Sequence, residues 1–375
     1  MVWLHTSMLW LMDKPRILFI VPLPPPVHGS AMASQAIQES RLIRGSFRAD
    51  FVNLSTSRRM DEIGKRSLKK VIRFAGSYLR VLYKLMTTRY DACYLAITCH
   101  GIGFLKDAPF VALCKLFHRK VILHQHNKGM SRDVCRWPYR WLMPWVYRDA
   151  EVILLSERLY FDVAAVVQWK QVHICPNGLD VPLPSIVSRD SVVPRLLFLS
   201  NLIETKGVYV LLDAYRELKE KGYAFIGDFV GGETREINRE TFGNEVQKRG
   251  LQEHVFYHGP QYGAEKERFF RNADIFVHPT FEDCFPLTLI EAMRYGLPLV
   301  STDEGAIPDM VVDGENGWIC PRQDVHALAD ALERLLKDSE LRKQMGQDAC
   351  SKYRERYTME AFEKTFRTIL NDILN

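Results

Sequence analysis

The sequence lacks paired cysteines, long apolar runs and a strong net charge. Its eight cysteines include no C-x-x-C pair and no Cys/His cluster at zinc spacing, which argues against a zinc site and against a disulfide framework. We therefore expect them to be reduced core residues of a cytosolic protein. No apolar run approaches the roughly 20 residues that a membrane span needs. A formal net charge of +5 is too small to favour nucleic acid as a partner.

The first twelve residues, MVWLHTSMLWLM, are apolar but have no basic stretch and no small-residue cleavage site. This pattern argues against a signal peptide. We expect either a surface anchor or a start codon placed too early. The remaining composition, 47% hydrophobic and 25% charged over 375 residues, is that of an ordinary globular protein with room for two domains.

Short apolar runs alternate with helical patterns along the chain, which predicts an α/β fold with parallel sheets. A stretch rich in Pro and Ser, VPLPSIVSRDSVVP, separates two such sets and predicts an interdomain linker. Two sets of βα units predict two doubly wound, Rossmann-like domains. The predicted strands begin at Arg16, Phe51, Asp91, Val121, Glu151, Gln171, Leu196, Phe225, Val255, Ile275, Leu299 and Asn316.

The stretch PTFEDCFPLTLIEAMRYGLP at 279–298 predicts a strand end, a loop, a helix and a stop. Pro286 is expected in the first helical turn, and Gly296 follows the helix end. Glu291 is a carboxylate on an otherwise apolar helix, and such a group is costly to bury without a partner. Because helical side chains lean toward the N-terminus, Glu291 should lean toward the loop that bears Asp283.

The N-terminus of this predicted helix can bind a phosphate through the free N–H groups of Leu287 and Thr288. A phosphate site beside a carboxylate that binds hydroxyl groups is typical of a sugar-nucleotide site. The alternative is a buried acid that backbone N–H groups satisfy.

The stretch resembles the nucleotide-sugar motif of retaining glycosyltransferase family 4, E-G-F-G-x-x-x-x-E-A-M followed by G-x-P. The matching residues are Asp283, Cys284, Phe285, Pro286, Glu291-Ala292-Met293 and Gly296-Leu297-Pro298. Asp283 stands where the family has Glu, and Cys284 and Pro286 replace glycines. The resemblance implies that Glu291 binds the ribose, that Asp283 binds the sugar, and that Phe285, Pro286, Leu287 and Thr288 line the donor.

A second family motif, G-R-L-x-x-x-K-G, resembles the segment from Ser200 to Gly207. Lys206 matches the lysine that binds the donor diphosphate, but Asn201 replaces the arginine. The loss of an arginine removes a bidentate phosphate contact that a lysine cannot reproduce. Three consequences are open: weaker donor binding, another arginine that reaches in, or donation by the Asn201 amide.

The N-terminal half resembles the family more loosely. Gly29 corresponds to a glycine-rich loop that faces the donor phosphates and the acceptor, with His28 where a second glycine is common. The histidine at the end of the fourth strand binds a sugar hydroxyl in the family; His126 fits that place best, and His124 is the second choice. A two-histidine metal site is the competing idea, but no nearby Asp, Glu or Cys completes it.

Two segments of the N-terminal half combine basic and apolar residues. From Lys65 to Lys84 the pattern predicts an amphipathic helix, and RDVCRWPYRWLMPWVYR at 132–148 mixes Arg with Trp and Tyr. Both compositions are typical of the surface of an anionic bilayer. A solvated helix face is the alternative. The apolar stripe of the helix consists of Leu68, Ile72, Ala75, Leu79, Leu82 and Met86.

The resemblance implies a GT-B fold, with two Rossmann-like domains facing across a cleft and a C-terminal helix that crosses back to the first domain. We expect an acceptor-side domain at 13–182, a nucleotide-sugar-binding domain at 183–355 and the returning helix at 356–375. The implied activity is retaining transfer of a sugar from a nucleotide-sugar donor, expected to be a UDP-sugar. No D-x-D carboxylate pair at a strand end indicates a divalent metal, and a lysine with a helix terminus can do the same work, so we expect metal independence. The acceptor would be a glycan or a lipid-linked glycan in cell-envelope polysaccharide synthesis. The expected location is the cytoplasm, at the inner face of the plasma membrane.

Two other functions stay open. One is a different GT-B enzyme, such as a non-hydrolysing sugar-nucleotide epimerase, which would carry added acid/base carboxylates. The other is a degenerate transferase that binds a nucleotide sugar or a membrane without turnover, which Asn201 and Asp283 favour. A nucleic-acid binder is least favoured, because the positive charge accompanies interface aromatics rather than a nucleic-acid motif.

Overall fold

The structure is a computed structural model that describes residues 14–25, 29–55, 68–179 and 192–375. These residues form two compact units, each built on a parallel six-stranded sheet. The first unit runs to Gly178 and includes Met359–Asn375, and the second is Leu179–Thr358. Residues 1–12, His28, Lys65 and most of the predicted linker lie outside the described residues.

The sheet of the first unit has the strand order β2-β1-β3-β4-β5-β6. Its strands are β1 (Arg16–Val21), β2 (Arg48–Asn53), β3 (Ala92–Ile97), β4 (Lys120–Gln125), β5 (Ala150–Leu154) and β6 (Val172–Ile174). Its helices up to this point are α1 (Gly29–Glu39), α2 (Arg41–Ser46), α3 (Leu68–Thr87), α4 (Gly101–Leu116), α5 (Met130–Asp133), α6 (Tyr139–Tyr147) and α7 (Tyr160–Val163).

Both faces of this sheet are covered, as the continuous apolar runs of its strands predict. Because side chains alternate along a strand, Leu18 and Ile20 of β1 face one core, which includes residues of α3, α4 and α6. Ile17 and Phe19 face the other core, which includes residues of α1 and α2.

The sheet of the second unit has the strand order β12-β11-β10-β7-β8-β9. Its strands are β7 (Arg195–Leu199), β8 (Ile226–Val230), β9 (Val255–Tyr257), β10 (Ile275–His278), β11 (Leu299–Thr302) and β12 (Gly317–Cys320). Its helices are α8 (Val208–Glu220), α9 (Arg239–Lys248), α10 (Gly263–Asn272), α11 (Leu287–Arg294), α12 (Ile307–Met310), α13 (Val325–Lys337) and α14 (Ser339–Arg356).

The last helix, α15 (Met359–Leu374), belongs to the first unit. Phe362, Phe366 and Leu370 enter the core that contains Phe19, and the Phe366 ring meets Tyr94 edge-on with the ring centres 5.4 Å apart. The expected return of the C-terminal helix to the first domain is thus confirmed.

The apolar stripe predicted for α3 lies mostly at the protein surface. Leu68, Ile72, Leu79 and Met86 are exposed, and the helix instead buries Val81 and Leu85. The helix has two apolar faces, and the pattern alone did not show which one packs. Among the described residues, no helix combines the length and the hydropathy that a membrane span requires.

The cysteine prediction also needs one correction. All eight cysteines are free, and five of them are buried. Cys284 and Cys350 are partly buried, and Cys135 is exposed, so Cys135 is not a core residue.

Candidate functional site

The strand order of the second unit defines where a ligand is expected. From β7 the chain moves outward to β8 and β9, and it then returns to β10 on the other side of β7. In doubly wound sheets, ligands bind beyond the carboxyl ends of the strands at such a switch point. The loops that follow β7 and β10 carry the sequence-predicted residues Asn201, Lys206 and Asp283.

The loop after β7 is shaped for close contact with the loop after β10. Its short 3-10 helix, Glu204–Lys206, ends at Gly207, which has a φ of +81°. A Cβ on Gly207 would lie 2.1 Å from the carbonyl oxygen of Pro279. The amide of Phe281 donates to the carbonyl of Thr205 at 2.9 Å. Only glycine fits at this crossing, which explains the glycine after Lys206.

Lys206 and Asp283 form an ion pair between these two loops. The ammonium group of Lys206 lies 2.6 Å from Oδ2 of Asp283 and donates to the carbonyl of Glu282 at 2.9 Å. The same carboxylate oxygen lies 3.3 Å from Nε2 of the buried His278. Oδ1 accepts from the amide of Cys284 at 2.8 Å.

These contacts determine the charge of Asp283. Burial favours the neutral acid, but hydrogen bonding to His278 and the charge of Lys206 outweigh it and hold the pKa of Asp283 well below its usual range. Asp283 is therefore a carboxylate at any physiological pH. It is ready to accept hydrogen bonds from hydroxyl groups and is too weakly basic to be a strong nucleophile.

A second carboxylate fixes the backbone of the same loop. Oε1 of Glu304, which is buried, accepts from the amide of Asp283 at 3.0 Å, and Oε2 pairs with Arg322 at 3.0 Å. The next residue, Gly305, has a φ of +54°, and a Cβ there would lie 2.5 Å from the carbonyl oxygen of Asp283. Glu304 thus stabilises the backbone of the loop that bears Asp283, and Gly305 allows the loop to pack closely against it.

The N-terminus of α11 follows this loop directly. Pro286 is the N-cap residue and Leu287 begins the helix, so Pro286 precedes the helix rather than lying in its first turn as predicted. The first N–H groups of a helix, here those of Leu287 and Thr288, have no carbonyl partner within the helix. They can bind an anion together with the helix dipole. Phe285 is buried and its ring meets Tyr357 at 6.3 Å, which anchors the start of the helix.

Glu291 lies one turn further along α11 and has a partner that the sequence did not indicate. Its Oε1 lies 2.6 Å from the ammonium group of Lys266 on α10, and both side chains are partly exposed. Neither predicted arrangement describes this contact, because the partner is neither the loop of Asp283 nor a set of backbone N–H groups. Because both side chains are accessible, a ligand can replace Lys266 as the partner of Glu291.

Asn201 stands where the family motif has an arginine, and its side chain binds the protein's own backbone. Its Oδ1 accepts from the amide of Gly232 at 3.0 Å. Gly231 packs so closely that a Cβ would lie 1.8 Å from the carbonyl oxygen of Ser200. The side-chain oxygen is thus used within the protein, and the amide nitrogen is the group of Asn201 that can donate to a ligand.

The two remaining predicted residues belong to the first unit. Gly29 is exposed and begins α1 after the β1 strand. His126 follows β4, and its ring centre lies 4.1 Å from that of His124. The fully buried His124 shares a hydrogen bond of 2.7 Å with the Tyr94 hydroxyl, so it supports His126 from inside the core.

Sequence reasoning did not find His278, Glu304 or Lys266. His278 ends β10 and Glu304 follows β11, so both are at carboxyl ends of neighbouring strands, a signal that could have been used. Lys266 lies on a separate helix and carried no such signal. Across the described ranges, no group of three or more His, Cys, Asp or Glu side chains could hold a metal ion.

Residues 187–352 match the family model described as Glycosyl transferases group 1. This match covers less than half of the chain and contains Asn201, Lys206, Asp283 and Glu291. The second unit therefore carries a glycosyl transferases group 1 domain.

Curated relatives are also glycosyltransferases. The chain is 27% identical to the amylovoran biosynthesis glycosyltransferase AmsK of Erwinia amylovora, over 58% of this chain and 52% of that protein. It is 35% identical to the phosphatidyl-myo-inositol mannosyltransferase of Mycobacterium leprae, over 48% of each chain. The chain thus spans about half the length of these relatives.

Among solved structures, Anabaena Alr3699/HepE in complex with UDP superposes with a TM-score of 0.73 at 16% identity, covering 96% of this chain and 100% of that one. At this identity the likeness concerns the fold. The chain has the α/β two-domain GT-B fold.

Proposed function

We propose that the protein is a retaining glycosyltransferase of family 4 that transfers a sugar from a UDP-sugar to a glycan or lipid-linked acceptor in cell-envelope polysaccharide synthesis. The observation that carries this proposal is the Lys206–Asp283 pair beside the N-terminus of α11, at the switch point of the second sheet. The glycosyl transferases group 1 match, the relative that acts in amylovoran biosynthesis and the UDP complex of HepE support it.

The second unit binds the donor. Lys206 and the N–H groups of Leu287 and Thr288 bind the diphosphate, and Glu291 binds the ribose hydroxyls. In the protein alone, Lys206 already neutralises Asp283, so an incoming diphosphate competes for its ammonium group. Asp283 then keeps His278 and the Cys284 amide and becomes available to the sugar hydroxyls.

Departure of the diphosphate requires that its growing negative charge be stabilised. A lysine and a helix N-terminus that are already in place can stabilise this charge without reorganisation during the reaction. We therefore propose transfer that does not depend on a metal ion.

Retention follows from front-face attack, with the donor phosphate taking the proton of the acceptor. Asp283 is a poor candidate for a covalent nucleophile, since its carboxylate already accepts from Lys206, His278 and Cys284. The first unit binds the acceptor near Gly29, and His126 binds a hydroxyl group of the sugar.

The test compares two variants of one ion pair. Glu291→Gln removes the ribose ligand, whereas Lys266→Met breaks the same pair and leaves that ligand in place. The wild type is screened against UDP-, GDP- and ADP-sugars, and the matching donor should raise its melting temperature. The shift should be lost in Glu291→Gln and kept in Lys266→Met. Wild-type transfer by Glu291→Gln would refute the assignment.

One observation favours a second candidate, a nucleotide-sugar-binding protein without turnover. Asn201 replaces a cationic phosphate ligand, and its side-chain oxygen is used by Gly232. Release of the free nucleotide from a donor that shifts the melting temperature would exclude this candidate. Binding without release would support it.

We also propose that the enzyme works in the cytoplasm at the inner face of the plasma membrane. A lipid-linked acceptor would be found there, and one relative is named for phosphatidyl-myo-inositol, a lipid. Exposed apolar side chains on α3 and α6 are consistent with this location.

A further inference from the structure

Helix α3 presents three different sectors around its axis. At about 100° per residue, one sector holds the buried Val81 and Leu85, with Phe74 and Tyr78 packed beside them. A second sector holds five basic residues. A third sector, about 120° wide by the same spacing, is apolar and mostly exposed, although Leu82 within it packs against the core. Its exposed large side chains are Leu68, Val71, Ile72, Leu79, Tyr83 and Met86.

The exposure of this third sector is large. Ile72 is 63% exposed and Leu79 is 62% exposed. A row of large aliphatic side chains along a 20-residue helix is unusual on a protein surface that faces only water. The helix packs against the core through the sector that contains Val81 and Leu85. The exposed row is therefore not needed for folding of the first unit.

The same layer of helices carries a second exposed apolar group. Helix α4 contacts both α3 and α6, and all three contribute to the core on one face of the first sheet. Trp137, Trp141 and Trp145, in and before α6, are 81%, 66% and 39% exposed. The ammonium group of Lys115 binds the carbonyl oxygens of Trp145 and Arg148, each at 2.6 Å, and so joins α4 to the end of α6.

The charges of these two segments are mostly positive, and one of the lysines, Lys84, pairs with Asp50 of β2 at 3.2 Å. Helix α3 contains Lys69, Lys70, Arg73, Arg80 and Lys84 and no acid. The segment 132–148 contains four arginines, and Arg140 stacks over the Trp141 ring at 5.0 Å. Its single acid, Asp133, is buried and accepts from the amide of Gly101 at 2.8 Å.

We infer that this surface, formed by the exposed apolar sector of α3 and the tryptophans of the α6 segment, docks on an anionic lipid bilayer. The types of exposed side chain identify a lipid bilayer as the binding partner of this surface. Aliphatic side chains enter the acyl boundary, tryptophans and arginines lie at the headgroups, and lysines attract anionic lipid. A protein partner would need acidic groups to match the basic residues. The inference rests on the proposed function in one respect: a lipid-linked acceptor is the reason for the protein to bind a membrane.

The experiment is sedimentation of the full chain with vesicles of phosphatidylcholine, with and without phosphatidylglycerol. The wild type should sediment with the anionic vesicles and much less with the neutral ones, and added salt should weaken this binding. The double variant I72S/L79S should bind at least about tenfold less, because two buried aliphatic groups are lost. The variant K69Q/R80Q should bind about thirtyfold less, since each basic residue near an anionic surface contributes roughly fivefold.

The matched control is Phe256→Ser, which removes an exposed aromatic ring from β9 in the second unit. It should bind vesicles as the wild type does. Every variant is also tested for the melting shift given by the UDP-sugar, a readout that separates loss of docking from loss of folding or of donor binding.

The outcomes are distinct. Vesicle binding that is equal for wild type and I72S/L79S, or equal on neutral and anionic vesicles, would overturn the inference. So would a lipid-free dimer that I72S/L79S converts to a monomer without any vesicle binding, since a second copy would then be the occupant. Failure of sugar transfer with intact, variant-sensitive vesicle binding would refute the proposed function and leave the docking surface established.

Discussion

The ammonium group of Lys206 lies 2.6 Å from Oδ2 of Asp283, although the two residues are 77 positions apart in the chain. Strands β7 and β10 are neighbours in the sheet, and each residue lies in the loop after its strand. The sheet topology therefore creates the pair, and the pair joins the two loops that form the proposed donor site.

Replacement of Lys206 by methionine should destabilise the protein and abolish donor binding. Both side chains are about one-fifth exposed, so we expect a cost of about 2 kcal/mol, less than for a fully buried pair. Chemical denaturation and the melting shift with the UDP-sugar measure the two effects. In a double-mutant cycle, adding Asp283→Asn should restore much of the stability and none of the binding. Additive losses would show that the pair is not coupled.

Replacement of Gly207 by alanine should cost more than its backbone angle alone requires. Gly207 and Gly222 have almost the same φ, +81° and +83°, but only at Gly207 would a Cβ meet another loop. Gly222→Ala should cost about 1–2 kcal/mol from the left-handed conformation, whereas Gly207→Ala should cost more and also weaken donor binding. Equal costs by urea denaturation would contradict the close crossing at Pro279.

Removal of the Glu304 side chain should loosen the loop of Asp283. Glu304→Ala loses both the acceptor for the Asp283 amide and the pair with Arg322, so the KM for the donor should rise about tenfold, about 1.4 kcal/mol. Asp303→Asn is the control, because Asp303 contacts the same arginine at 3.0 Å but is half exposed. Steady-state kinetics should show no comparable change for this control.

The stability of the first unit should fall in mild acid because of His124. Burial, reinforced by the neighbouring His126, lowers the pKa of His124 well below 6.5. The unfolded chain binds a proton that the folded ring does not, so the free energy of unfolding decreases as the pH falls below about 6.5, by at most about 1.4 kcal/mol per pH unit.

The variant His124→Gln should flatten this dependence between neutral pH and pH values below 6.5. Exposed His118 supplies the comparison, since His118→Asn removes a histidine at a left-handed position that asparagine tolerates. His118→Asn should keep the wild-type slope in denaturation curves recorded at several pH values. An unchanged slope in His124→Gln would refute the assignment to the buried ring.

The sequence predicted the strands well where an apolar run meets a clear stop. Ile275–His278 is such a run, and Pro279 ends it. The Lys206–Asp283 contact was also within reach, because strand order follows from the βα pattern and ligands bind at the switch point.

Other features depend on contacts that no local pattern encodes. The partner of Glu291 is Lys266, on a different helix. The exposed sector of α3 is as apolar as its buried sector, so periodicity alone could not show which one faces the core. Glu304 does follow the carboxyl end of β11, but its contact with the backbone amide of Asp283, 21 residues away, is not encoded locally.

Helix α15 completes the first unit, although the whole second unit precedes it in the chain. A chain that ends before Met359 therefore contains all of the second unit but lacks the side chains that cover Phe19 and Tyr94. A released chain truncated before Met359 should accordingly expose one face of the first sheet to chaperones, while the second unit keeps all of its own residues.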